Sequence, residues 1–179
     1  MDKEMVVFSE IESALNIRNN IDSYSTESGV YMHFVDEKGL KLLKGVCPVN
    51  FEKHGKIKLG LVYIGKAQNM KQRLRWHLGI INIKHVNICN GTLSTLRHSY
   101  MANHSDIECL SQQDKLNEFL DNYVYIKYCL SDQYKSIEEE MIRKYSPPLN
   151  IQGNTNPFIA TNKERRKAIR DAYREKFVC

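Results

Sequence analysis

Hydrophobic spacing divides the chain into short strand-like and helical segments. Val30, Met32 and Phe34 alternate with Tyr31, His33 and Val35, and Val124, Ile126, Tyr128 and Leu130 alternate with Tyr125, Lys127 and Cys129. That two-residue period is the pattern of a half-buried strand. Leu61-Val62-Tyr63-Ile64 is a continuous apolar run that ends in a Gly65-Lys66 turn. Helical spacing fills the intervals. Ser9-Glu10-Ile11-Glu12 has a capping-box pattern and predicts a helix from about Glu10 to Asn19, with Ile11 and Leu15 inward. Asn69 is a good N-cap for a helix that places Met70, Leu74 and Leu78 on one face. A turn at Gly91 leads to a short helix capped by Thr92 or Ser94, with Leu93, Leu96 and Tyr100 on its apolar side. Leu116, Phe119 and Leu120 mark another over Asp114 to Asp121.

Ser131 or Asp132 caps the next helix, which runs to about Lys144 with Ile137, Met141 and Tyr145 in line. Pro147-Pro148 ends it, because proline removes a donor and restricts its predecessor. Thr161 or Asn162 caps a C-terminal helix whose apolar side carries Ala168, Ile169, Ala172, Tyr173 and Phe177. Residues 23–28 read as a polar loop and Asp36-Glu37-Lys38-Gly39 as a turn. The segment 40–58, rich in lysine, shows no clear period and is expected to be a loop.

Composition narrows this picture only a little. The chain has 179 residues, 42% of them apolar and 26% charged, enough for one core with extensions. A formal net charge of +5 is compatible with a phosphate backbone as partner but does not select one. The five cysteines, Cys47, Cys89, Cys109, Cys129 and Cys179, show no C-x-x-C and no close Cys/His pair. Neither structural zinc nor a disulfide framework is expected from them. The first thirty residues contain acids and no continuous apolar core, and no apolar run approaches membrane-spanning length. A cytoplasmic protein with no membrane association is the expectation.

The chemistry-bearing residues cluster around the Gly65-Lys66 turn. Arg73 and His77 stand four residues apart and so share one side of a helix. With Tyr63 at the strand end and Lys66 in the turn, they could converge on one anion. Gly29-Val30-Tyr31 upstream, Tyr63-Ile64-Gly65-Lys66-Ala67, Arg73, His77, Glu138 on a helix and Pro147-Pro148-Leu149-Asn150 form an ordered set. That set resembles the GIY-YIG nuclease superfamily, with Val30 where the first tripeptide usually has Ile.

The resemblance implies an α+β fold: a small, mainly antiparallel three-stranded sheet at about 29–35, 59–65 and 123–130, flanked by helices. It further implies a metal-dependent endonuclease that hydrolyses DNA phosphodiester bonds, with double-stranded DNA as partner. Glu138 is the expected ligand of a single Mg²⁺, or Mn²⁺, with waters completing its shell. Tyr63 is the expected general base and Tyr31 the residue that positions water or phosphate. Arg73 is expected to stabilise the transition state. His77 would relay a proton or bind phosphate, Lys66 would hold the scissile phosphate or keep Tyr63 acidic, and Asn150 would support the metal site and turn. Positive charge from Lys66 and Arg73 is expected to favour the Tyr63 phenolate.

Residues 1–28 would then be an N-terminal helical extension, 29–152 the nuclease domain with insertions at about 36–58 and 79–110, and 153–179 a loop and basic helix. Lys41, Lys44, Lys53, Lys56 and Lys58 in the first insertion are candidate phosphate contacts, as are Arg97, Arg166 and Arg170. Solvated charge is the plainer alternative for each. A compact restriction-type or mobile-element nuclease, possibly a homodimer, is the expected class. A catalytically idle nucleic-acid-binding module and an RNA-directed nuclease are the alternatives.

Overall fold

The computed structural model describes residues 6–81, 88–89 and 94–177. Its strands are β1 (Glu12–Ser13), β2 (Gly29–Asp36), β3 (Val49–His54), β4 (Ile57–Ala67) and β5 (Val124–Leu130). They form one antiparallel sheet in the order β1-β5-β2-β4-β3. β2 lies at the centre, in register with β5 from Gly29↔Leu130 to Val35↔Val124 and with β4 from Gly29↔Ala67 to Asp36↔Leu59. The three expected strands are therefore the inner three of a five-stranded sheet.

The two outer strands were hidden for different reasons. Glu12 and Ser13 pair with Ile126 and Tyr125, which displaces the expected start of the first helix. Helix α1 (Ala14–Asn19) begins later, and the Ser13 side chain, not Ser9, accepts the capping bond from the Asn16 N–H at 3.2 Å. Ser9 exchanges bonds with the Tyr128 backbone instead. At β3 only Val49 and Phe51 alternate as apolar residues before Lys53, too few to display a period. The hairpin to β4 turns at Gly55 with φ 60°, a conformation that glycine adopts without penalty. Asp36 does not close a simple turn: its Oδ1 accepts from the Gly39 N–H at 2.7 Å and caps α2 (Glu37–Leu42).

A 3-10 turn at Ile21–Ser23 follows α1, and further on come α3 (Met70–His77), α4 (Thr95–Asn103), α5 (Gln113–Tyr123), α6 (Tyr134–Tyr145) and α7 (Ile159–Phe177). Asn69 caps α3 and Ser94 caps α4, as their side-chain types suggest. The turn at Gly91, Thr92 and Leu93 lie outside the described residues. α6 starts beyond Ser131 and Asp132 without a side-chain cap. α7 starts before Thr161 and Asn162. Asn162 is thus an interior residue, and its buried amide bonds Asn103 at 2.8 Å and Ser99 at 3.3 Å on α4.

Helices cover both faces of the sheet. On one, Val30, Met32, Phe34, Leu59, Leu61 and Ile64 pack beneath Ile137, Met141 and Ile142 of α6. On the other, Tyr31, Val35, Val62 and Ala67 meet a larger core built by α1, α3, α4, α5 and α7. Burying apolar area on both faces stabilises such a layer by about 25 cal/mol per Å² removed from water. No described helix is long and apolar enough to cross a membrane. No disulfide framework is expected, and one disulfide is nevertheless present at Cys89, while Cys47, Cys109 and Cys129 are free. Spacing along the chain carries no information about such a pairing.

Candidate active site

Two glycines and a bulge assemble the centre. A Cβ at Gly29 would collide with the Cys129 carbonyl, so this glycine permits the close approach of β2 and β5. A Cβ at Gly65 would strike the Tyr31 phenol, which lies over that point of β4. The β2–β4 register runs from His33↔Tyr63 to Phe34↔Leu61, which leaves Val62 as an extra residue in β4. A bulge of this kind reverses the in/out alternation of everything beyond it. Leu61 and Ile64 therefore pack on the α6 face, while Val62 and Tyr63 both turn to the face that holds Tyr31. The loop after α6 closes the free edge of β4 at this point. Leu149 N–H donates to the Val62 carbonyl at 3.0 Å. The Asn150 amide accepts from the Ile64 N–H at 2.9 Å and donates to the Ile64 carbonyl at 2.7 Å. Asn150 thus replaces a neighbouring strand, and both ends of its amide are committed to that task.

Behind Tyr63 lies a buried polar row. The Tyr31 hydroxyl is 2.6 Å from His77 Nε2, and the Ser94 hydroxyl is 2.7 Å from His77 Nδ1. Burial, then repulsion from His33 and from the charges of Arg73 and Arg97, hold the His77 pKa well below its ordinary value. It is a neutral imidazole in the physiological range, with one donor and one acceptor for its two hydroxyl partners. His77 is 3% exposed and lines no hollow at the surface. Its Nε2 faces the Tyr31 hydroxyl, so in this structure it contacts Tyr31 and not either hollow. Burial likewise raises the Tyr31 phenol well above its usual range.

Tyr63 is also raised, by burial, against the opposing pull of Tyr31, Arg73 and Arg166. The expected net depression of Tyr63 is overturned, because burial outweighs the nearby positive charge and Lys66 is already neutralised. His33 completes the back wall with its ring stacked edge-on among Tyr31, Tyr63 and His77. Neither His33 nitrogen nor the Tyr100 hydroxyl has a hydrogen-bond partner among the described residues.

In front of Tyr63 opens a hollow of about 670 Å³. Its walls carry Tyr63 and Lys66 from β4, Glu138, Glu139 and Arg143 from α6, Thr95 from α4, Asn150 and Arg166 from α7. Lys66 Nζ meets Glu138 Oε2 at 2.7 Å, with the carboxylate side chain only 13% exposed. Ile137, Met141 and Ile142 hold this face of α6 against the sheet, which places Glu138 at the border between core and solvent, where its spacing put it. Among the described residues no three metal-ligating side chains converge. One carboxylate with a second on the same wall does fit Mg²⁺, which keeps several waters and shares phosphate oxygens. The same set does not fit a closed zinc cage.

A second hollow of about 430 Å³ adjoins the first, with Lys66 in the wall of both. Gln68, Asn69, Gln72, Arg73, Trp76, Tyr134 and Lys135 line it. Arg73 is exposed, forms no ion pair among the described residues and acts electrostatically on Tyr31, Tyr63 and His77.

The remaining candidates separate clearly. Lys41, Lys44, Lys53, Lys56 and Lys58 are exposed and line neither hollow. Lys58 lies 4.2 Å over the Phe51 ring. Arg170 pairs with Asp171 at 3.6 Å, whereas Arg166 faces the first hollow and approaches His98 to 3.5 Å. Arg97, expected at a nucleic-acid surface, is wholly buried. Its guanidinium donates to Gln113, Asn117 and, at 2.9 Å, to the His77 carbonyl, so it anchors the end of α3. Sequence reasoning passed over Thr95, Glu139, Arg143 and Trp76. None carries a local motif, and only the packing of helices brings them to the site.

A phenol, a lysine–carboxylate pair and unpaired arginines around one opening suit a phosphodiester, since each phosphate oxygen finds a donor or a cation. A model of the GIY-YIG catalytic domain matches residues 29–175. The chain belongs to this family, whose nucleases are generally dependent on a divalent metal. Comparison with curated proteins and with solved structures returned no match.

Proposed function

We propose that this chain is a Mg²⁺-dependent endonuclease, with Mn²⁺ able to replace Mg²⁺, that hydrolyses DNA. The observation that carries the reading is the meeting of Tyr63, Lys66, Glu138 and Arg166 in one hollow, although 103 residues separate the first from the last. In the reaction, water attacks phosphorus and the bond to one bridging oxygen breaks. Tyr63, as phenolate, accepts the proton of the attacking water. Burial makes that phenolate scarce and correspondingly strong as a base, and Arg73 and Arg166 favour its formation. Tyr31 orients Tyr63 and is itself held by His77 and Ser94. Arg73 places its guanidinium against the charge that builds on the phosphate oxygens. Lys66 contacts the same phosphate from the wall shared by the two hollows. Glu138, with Glu139 beside it, would hold Mg²⁺, which supplies Lewis-acid stabilisation of the phosphate when bound.

The proposed substrate is double-stranded DNA. A cytoplasmic restriction-type or mobile-element enzyme, with dimerisation to cut both strands, accords with one site per chain. Residues 29–152 would be the catalytic unit, with 1–28 as its extension and 153–179 adding Arg166. The test is incubation of supercoiled plasmid with protein and Mg²⁺, beside an EDTA control and Glu138→Gln. Metal-dependent nicking that falls at least ~10³-fold in the variant is expected, the scale of losing an essential electrostatic group. Plasmid left intact but retarded on a gel would replace the enzyme with a binding module, and cleavage of RNA alone would change the substrate.

A further inference from the structure

The second hollow contains something that phosphodiester chemistry does not require. Trp76 is the single tryptophan of the chain, and it stands 38% exposed in that hollow on the last turn of α3. Around it are Arg73, Lys135 and the shared Lys66, and no acidic residue lines the hollow. Tyr134 adds a second aromatic wall, with Lys135 Nζ 5.8 Å from its ring centre. A surface tryptophan in cationic surroundings without a carboxylate is costly for a soluble surface and gains nothing from ion pairing. It is the composition that binds a flat π-system carrying negative charge, for which base stacking on an aromatic ring and cation contacts to phosphate act together. The volume of about 430 Å³ accommodates one nucleotide.

We propose that this hollow is a subsite for one unstacked nucleotide next to the scissile phosphate, with its base on Trp76 and its phosphate between Arg73 and Lys135. The proposal rests on the nuclease reading and narrows its substrate class. A base inside an intact duplex must be unstacked to reach Trp76, at a cost of a few kcal/mol, and that cost is smallest for mismatched or unpaired bases. The preferred substrates within double-stranded DNA are accordingly those with an unpaired base at the cutting position, mismatches and bulges, and a single strand should enter the subsite without that cost.

The indole itself reports the test, because its emission has one source. Wild-type protein in EDTA is titrated with fluorescein-labelled single-stranded DNA, single-stranded RNA, a paired duplex, the same duplex with a one-base bulge, and that bulge made abasic. Quenching of Trp76 by the single strands and the bulged duplex, with the same midpoint as the anisotropy, is expected, and the abasic bulge should leave emission unchanged. Trp76→Ala should weaken binding of the bulged duplex about tenfold, within the range for one base–aromatic stack, and leave the paired duplex within twofold. Trp76→Phe should restore most of the loss, which a merely structural role would not predict. Binding seen by anisotropy while Trp76 emission stays constant would overturn the subsite and leave the nuclease standing. Equal quenching by the abasic bulge would overturn base stacking as its cause. Absence of binding to every nucleic acid would overturn both readings.

Discussion

The two hollows share Lys66 and differ in one respect that decides what each can do. The first sets Glu138 and Glu139 against Lys66, Arg143 and Arg166, with the Tyr63 phenol at its floor. The second has cations and aromatic rings but no acid. A hollow with both signs of charge can hold a cation and a phosphate at once, which hydrolysis requires. A hollow with positive charge and π-faces suits retention of a nucleotide. The difference also runs inward. Behind the first stands the row Tyr31, His77 and Ser94, with His33 and Tyr100 buried beside it. Burial makes these rings expensive to charge, so the back wall stays neutral and fixed while charge is confined to the front.

This comparison can be broken at its border, its back wall or its far side. Arg73 lines the second hollow beside the shared Lys66, and Arg73→Ala should produce the largest change, a fall in kcat of roughly 10²–10³ with the Kd for DNA changed only a few-fold. Single-turnover cleavage beside anisotropy separates the two quantities. An equal loss in affinity would move Arg73 wholly into the nucleotide subsite.

Arg166 should have a smaller effect, since it reaches the first hollow from α7 and would contact phosphate without touching a reacting atom. Arg166→Ala is expected to weaken binding about tenfold and to lower the slope of log K against log salt by about one. An unchanged slope would leave Arg166 as a packing residue beside His98.

The smallest and most diffuse effect concerns the buried histidines. Burial pushes the pKa of His33 down to about 3 and that of His98, in the second case helped by Arg166, down to about 4. The unfolded chain binds those protons near pH 6.5, so the native state gains stability that is complete above 6.5 and is lost as pH falls towards 4. Each histidine contributes a slope of up to about 1.4 kcal/mol per pH unit in that window. Urea denaturation from pH 7 to 4.5 measures it, and His33→Leu should flatten the profile.

Much of the site was legible before the fold was known, and the residues that were misread share a cause. Tyr31, Tyr63, Lys66, Arg73, Glu138 and Asn150 do gather around one end of β4. His77 and Arg97 carry the same side-chain chemistry as surface phosphate ligands. Their burial depends on α4 and α5 closing over α3, and spacing within one helix does not register that. Trp76 was overlooked for the opposite reason, because an aromatic residue at the end of an amphipathic helix is ordinarily core. The helix over Glu10 to Asn19 was placed too early because its capping pattern is local, whereas pairing of Glu12 and Ser13 with β5 is long-range. β3, with only two alternating apolar residues, gave no period of its own, and its partners lie in β4.

What the sequence by itself determined are the features that depend on neighbours along the chain: the inner three strands, the caps at Asn69 and Ser94, the termination at Pro147, and the glycines without which Tyr31 could not lie over Gly65. What only the tertiary structure decided is direction. The bulge at Val62 turns Tyr63 to the face of Tyr31, the Asn150 amide closes the edge of β4 left free where pairing with β3 ends at Leu61, and the docking of α7 brings Arg166 across the opening. The physical reason is that side-chain direction in a strand reverses with every residue, so one extra residue, set by pairing far along the chain, decides which face a phenol serves.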